Sequence, residues 1–175
     1  MEKSSAYEVI LQRCSIRSFR DDPVPEEHLK KILTAAQRAP SAGNRQPWHF
    51  YVVRNREIKA LLSQAAFNQE FVVQAPVVIV VCADPQRSAL RYGERGRTLY
   101  CIQDTANAAM NIWLTATELG LASCWVGAFD EALAAQALSL PSNLRPVAMF
   151  PIGFPAEPGK VAPRRPLQEI VTFLD

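Results

Sequence analysis

Residues 75–83 read APVVIVVCA, apolar at every position rather than at alternate ones. Successive side chains of a strand point to opposite faces, so this run must be covered on both sides. Helices on each face of a sheet provide that cover, and the rest of the chain supplies them. EEHLKKILTAAQRA at 26–39 carries Leu29, Ile32, Leu33 and Ala36 at helical spacing and must stop near Pro40. Residues 98–119 repeat Ile102, Ala106, Ala109, Met110, Trp113 and Leu114 with the same period, predicting a long, largely buried helix closed by Gly120. Shorter helices are predicted over 5–12, 55–66 and 131–140. HFYVVR at 49–54 is strand-like, SCWVGAF at 123–129 is a strand or extended segment, and PVAMFPIGFPAE at 146–157 is a strand with its exit loop. RRPLQEIVTFLD at 164–175 reads as a tail running along another element or another subunit. No repeat or linker interrupts this alternation, which predicts a single domain over 1–175, α+β or a three-layer sandwich.

Composition narrows the function classes. The chain is 49% hydrophobic and 21% charged, a balance for a folded protein rather than a disordered one. Nineteen basic and seventeen acidic side chains leave a net charge of only +2, and the basic residues form no long run, so nucleic acid is not an expected partner. Cys14, Cys82, Cys101 and Cys124 include no C-x-x-C pair, which argues against structural zinc and for reduced thiols. No metal is expected. The longest apolar run is far too short for a bilayer, and MEKSSAYEV has no apolar stretch behind it, so a cytoplasmic protein is the expectation. The glycine loops of dinucleotide-binding Rossmann domains and P-loop NTPases are both absent.

Two segments concentrate chemistry. RCSIRSFRDDPVP at 13–25 places Arg13, Ser15 and Arg17 at i, i+2 and i+4, which share one face of an extended chain. Guanidinium forks and a hydroxyl are the donors a phosphomonoester requires. Arg20 falls off the alternation and is expected to pair with Asp21 or Asp22. APSAGNRQPWHFYVV at 39–53 offers Asn44 and Gln46, each both donor and acceptor, in a loop stiffened by Pro40 and Pro47. Gly43 permits positive φ there or a close backbone approach. Trp48 reads as a core or interface aromatic and His49 as a packing histidine. Together the two segments suit a phosphate-bearing, partly planar ligand. Cys124 has apolar sequence neighbours and no nearby histidine, so a buried thiol is expected rather than a nucleophile.

RCSIRSF followed by PSAGNRQPWHF resembles the opening of FMN-dependent nitroreductases. NQEFVVQAPVVIVV, GLASCWVGAF, PIGFP and APRRPLQEIV are similar to later segments of that family, in the same order. The resemblance implies an α/β/α sandwich around a mostly antiparallel sheet, in an intertwined homodimer with FMN at the subunit boundary. It assigns Arg13, Ser15 and Arg17 to the phosphate and neighbouring ribityl oxygens, with the backbone of Cys14 near the isoalloxazine. Ser41, Asn44 and Gln46 would line the ribityl chain and pyrimidine edge. Gly127 and Ala128 would offer N–H groups near flavin N5, and Arg164 or Arg165 would close over the phosphate. No side chain is assigned as a catalytic acid or base. Many family members carry Glu where this chain has Gly127, which bears on substrate preference rather than on cofactor binding. The implied activity is a ping-pong transfer from NAD(P)H to a nitroaromatic, quinone or similar acceptor. The alternatives are a flavin-fragmenting or dehalogenating enzyme on the same scaffold, and a non-catalytic FMN-binding regulatory protein.

Overall fold

The computed structural model describes residues 5–174. Ser5 and Glu8 close a reciprocal capping box that starts α1 (Ala6–Gln12). An extended stretch leads to α2 (Glu26–Gln37), whose acidic first turn suits the positive end of a helix. A 3-10 turn at Ala42–Asn44 precedes β1 (Trp48–Val53). Then come α3 (Arg56–Ala65), capped by the Asn55 side chain, a single turn α4 (Phe71–Gln74), and β2 (Val77–Ala83). Asp84 caps α5 (Pro85–Arg95), with Pro85 in the first turn where its missing N–H costs nothing. A π-helical turn at Gly96–Tyr100 feeds α6 (Cys101–Glu118). The short β3 (Ala122–Ser123), α7 (Glu131–Ala137) and β4 (Arg145–Gly153) complete the body.

The four strands form one antiparallel sheet in the order β1-β2-β4-β3. Thus the expected antiparallel sheet is present, and the segment at 123–129 contributes only its beginning to a strand. Beyond Ser123 it runs extended, with one bridge from Val126 to Met149. Pro146 sits where the β2–β4 register slips between Val81 and Cys82, a position that tolerates a residue without an N–H. The helix foreseen from residue 98 takes α-helical form at Cys101, after the π-turn.

The uninterrupted apolar run of β2 divides its side chains between two cores. Val77, Ile79 and Val81 join Leu29 and Ile32 of α2, Ala109, Ile112 and Trp113 of α6, and Phe150 of β4. Val78, Val80 and Cys82 join Leu62 and Ala65 of α3, Val72 of α4, Ala134 of α7 and Met149 of β4. The result is the three-layer arrangement that the both-sides-apolar pattern demands. Burial pushes the Cys82 thiol up to about 12, as suits a strand residue sealed between sheet and helices. Among the described residues no helix is long and apolar enough to cross a membrane.

Among the described residues the outer edge of β1 has no strand partner, and much apolar surface elsewhere is uncovered. Tyr7, Ile10 and Leu11 of α1 are exposed, as are Leu167, Ile170, Val171, Phe173 and Leu174 of the tail. Truncating a core side chain on either face should cost about 2–5 kcal/mol. Ile112→Ala and Leu62→Ala lie on opposite sides of the sheet, so their costs in urea unfolding should add to within about 0.5 kcal/mol. A larger coupling would contradict the separation into two cores.

Candidate functional site

Residues 13–20 run extended across the ends of β3 and β4. Ile16 N–H donates to Ser123 O (3.1 Å), Arg20 N–H to Phe154 O (2.9 Å), and Ala156 N–H to Ser18 O (3.1 Å). This backbone stitching keeps the alternation that puts Arg13, Ser15 and Arg17 on one side. The Arg13 guanidinium lies 4.1 Å above the Trp113 ring and that of Arg17 5.8 Å from the Phe71 ring. Aromatic faces hold both cations from beneath, leaving their in-plane donors available. Ser15 and Arg17 are exposed. Arg20 instead pairs with Asp22 at 3.1 Å, off the cluster.

Beneath this group lies Cys124. Burial raises its thiol above the ordinary range, although Arg17, Ser15 and Arg13 are close enough to oppose that shift. Desolvation wins, and the thiol stays protonated at neutral pH. Gln69 Nε2–H donates to Ala128 O at 3.3 Å, tying 68–71 to the segment that carries Gly127 and Ala128. Both of those residues are exposed, and their amides have no acceptor among the described residues. The backbone of Gly159 returns against Cys14 and Ile16.

The second group is the loop 41–46. Ser41 Oγ accepts Gln46 N–H (2.9 Å), and Gln46 Nε2–H donates to Asn44 Oδ1 (3.2 Å). Gly43, Asn44 and Gln46 all have left-handed backbone, with φ of 54°, 54° and 50°. Such conformations persist outside glycine only where the surroundings over-determine them. Here the loop is clamped at several points: Ala42 N–H donates to Asp104 Oδ1 (3.0 Å), and Pro47 O accepts Asp84 N–H (2.9 Å). A side chain on Gly43 would begin 2.5 Å from the Tyr92 hydroxyl, so glycine is required for space as well as for φ.

The model of the nitroreductase family matches this chain over residues 10–72 and 62–154. The chain belongs to the nitroreductase family. An NADH dehydrogenase of Thermus thermophilus is 35% identical over 190 residues, which cover 93% of this chain and 93% of that protein. A nitroreductase family protein of Clostridium novyi superposes with a TM-score of 0.81 at 36% identity, covering 90% and 89% of the two chains. The NADPH:FMN oxidoreductase of Vibrio harveyi, solved with NAD+, gives a TM-score of 0.88 at 29% identity, covering 97% of this chain and 77% of its own.

Within this nitroreductase fold the site residues fall into two groups rather than one. Trp113, under Arg13, and Asp104, under the loop, are nine residues apart on α6, roughly 13 Å along the axis. Arg164 donates to the carbonyls of Ala162 and Pro163, and Arg165 pairs with Glu169 at 3.0 Å, so neither joins Arg13 in this chain. Several residues of the site escape the sequence reading. Phe71 and Trp113 serve as platforms, Gln69 and Tyr92 as braces, and Asp104 as the anchor of the loop. Asp104 alone had a legible signal. It falls with Cys101, Thr105, Ala108 and Ile112 on the buried face of the 98–119 helix, where a carboxylate needs a reason.

Burial raises the Asp104 carboxyl above its usual range despite the Ala42 N–H, and its Oδ2 has no partner among the described residues. Asp104→Ala, which orphans the Ala42 N–H, should cost about 1–3 kcal/mol in urea unfolding. Asp104→Asn keeps an acceptor and loses the buried charge, and should stay within about 1 kcal/mol of wild type. Equal losses would mean that the charge, not the loop contact, is what the fold uses.

Proposed function

We propose that this chain is an NAD(P)H-dependent flavoprotein oxidoreductase that holds FMN non-covalently and reduces a nitroaromatic, quinone or similar acceptor in a ping-pong cycle. The observation that carries the reading is the convergence of Arg13, Ser15 and Arg17 on one side of an extended segment, beside the unbonded amides of Gly127 and Ala128. The donor set fits the group. Two aromatic-backed guanidiniums and a hydroxyl suit a phosphomonoester, and free backbone N–H groups suit a ring nitrogen that gains electron density. FMN supplies the two-electron chemistry when bound, and the protein positions it and tunes it.

Each group of residues then has a task. Arg13, Ser15 and Arg17 would hold the phosphate, with the Cys14 backbone beside the flavin ring. Ser41, Asn44 and Gln46, fixed by the Asp104 clamp, present amide and hydroxyl groups to the ribityl chain and pyrimidine edge. Gly127 and Ala128 would offer their N–H groups to the flavin ring, and Arg164 or Arg165 would have to leave its present partners to reach the phosphate. No proton-transferring side chain is assigned, in keeping with a cofactor that carries the chemistry. Cys124, held as a thiol, packs beneath the site.

A second copy of the chain completes this arrangement. The two residue groups are separated along α6, while α1 and the tail expose apolar side chains that a partner would cover. Ile102, Ala106, Met110 and Leu114 also form a half-buried stripe at four-residue spacing on α6. A homodimer with the loop of one subunit facing the arginine segment of the other brings both groups to one ligand.

Denaturing the purified protein should release a flavin that chromatographs as FMN; FAD, or no uptake of FMN by the apoprotein, would refute the reading. Arg13→Ala or Arg17→Ala removes charge-assisted donors worth about 1.5–3 kcal/mol each. FMN affinity should therefore drop tens-fold while riboflavin, lacking the phosphate, is much less affected. Light scattering should give twice the 19.5 kDa chain mass.

A further inference from the structure

Arg45 belongs to the same loop, Arg87 and Arg91 contact it, and Arg95 lies further along α5; none forms an ion pair with a described carboxylate. The four unpaired guanidiniums are nonetheless fixed in place. Arg45 Nε–H donates to Arg87 O (3.0 Å) and Arg87 Nε–H to Arg45 O (2.6 Å), a reciprocal brace between loop and α5. Arg91 lies 5.5 Å from the Tyr92 ring and comes against Gly43. Arg95 donates from Nε to the Tyr100 hydroxyl (2.9 Å), and Tyr100 packs edge-on to Tyr92 at 5.2 Å.

Arg45, Arg87 and Arg95 make these contacts through Nε, whereas Arg91 brings its Nη1 against Gly43. The Nη groups of Arg45, Arg87 and Arg95, part of the fork that binds carboxylates and phosphates, make no hydrogen bond among the described residues. Like charges braced together repel, and none of the four lies within ion-pair distance of a described carboxylate. Arg87, Arg91 and Arg95 recur every four residues along α5, with the Gly93 kink at φ 55° between the last two. Arg87 and Arg91, one turn apart before the kink, are roughly 6 Å apart along the axis, enough to meet separate oxygens of one ligand. Polyanion recognition explains all of this, and the place beside loop 41–46 puts the anion next to the proposed flavin site.

We propose that Arg45, Arg87, Arg91 and Arg95 recognise the phosphates of the reducing dinucleotide and select NADPH over NADH. The inference rests on the oxidoreductase reading above and adds its reductant specificity. A pyrophosphate is common to both dinucleotides. The 2′-phosphate of NADPH adds about −1.5 to −2 charge at neutral pH, for which a cluster of cations is suited. A free FMN molecule used as acceptor carries the same phosphomonoester chemistry, and the experiment separates the two.

The holoprotein should show kcat/KM at least tenfold higher for NADPH than for NADH with a fixed quinone. In Arg91→Gln/Arg95→Gln that ratio should fall about tenfold or more, chiefly through KM, with bound FMN retained. Arg91→Lys/Arg95→Lys, which keeps the charge, should preserve most of the preference. Calorimetric titration should show adenosine 2′,5′-bisphosphate binding at least tenfold more tightly than adenosine 5′-monophosphate, a difference abolished by the glutamine pair. That titration needs no redox turnover, so it stands or falls separately from the flavin reading. A wild-type preference for NADH, or an unchanged ratio in the glutamine pair, overturns the proposal. So does loss of FMN-over-riboflavin preference among acceptors in place of the dinucleotide effect, which would assign the arginines to the acceptor. A loss of dimer mass with the ratio intact overturns it too, by assigning them to the subunit contact.

Discussion

Strand β2 divides the molecule. Its odd-numbered residues pack against α2 and α6, its even-numbered ones against α3, α4 and α7, and no residue from Val77 to Ala83 is more than marginally accessible. Both layers depend on that strand staying in register, since a one-residue slip would exchange the two sets of side chains. Pairing with β1 on one side and β4 on the other holds it there. The functional segments are all attachments to this frame. Residues 13–20 hang from the ends of β3 and β4, loop 41–46 enters β1, and 124–128 leave β3.

Helix α6 connects the frame to the chemistry. Ile112 and Ala109 seat it on the sheet, and Asn111 Nδ2–H ties it to α2 by donating to Ala35 O at 2.9 Å. Trp113 and Asp104 then meet the two site groups from one rigid rod. A helix packed this tightly cannot move one group without moving the other, so the separation between them is set by the fold rather than by loop conformation. The left-handed run at Gly43, Asn44 and Gln46 follows the same logic. Its strain is sustained by the Asp104 bond, the Ser41 hydroxyl and the Tyr92 contact, which keep the loop in place before any ligand arrives.

Much of this was legible in the residues. The unbroken apolar run at 75–83 demanded two covering layers, and period-3.6 patterns located α2, α3, α6 and α7 to within a few residues. The alternation in RCSIR foretold a shared face because the segment is extended. What the sequence concealed were the relations between distant segments. Nothing local to Phe71 or Trp113 says that a guanidinium rests on it. Apolar neighbours in SCWVG suggested a dry surrounding for Cys124, yet chain return brings Arg13, Ser15 and Arg17 beside it. The single-turn α4 and the helix α5 escaped because one is too short for a periodic signal and the other is dominated by arginine and polar residues.

Gly127 shows how structure narrows a question that sequence leaves open. Its φ lies outside the left-handed region, unlike Gly43, so the backbone does not require glycine there. A side chain at this position would begin 3.1 Å from Trp125 Nε1 and would otherwise meet little. The indole would have to yield by a few tenths of an ångström, and Trp125 is itself packed edge-on against Phe150 at 5.2 Å. Glycine at 127 is therefore coupled to the Trp125 position rather than to chain reversal. Open space at residue 127 and the fixed ring at residue 125 thus act as one feature of the exposed surface beside the unbonded amides of Gly127 and Ala128.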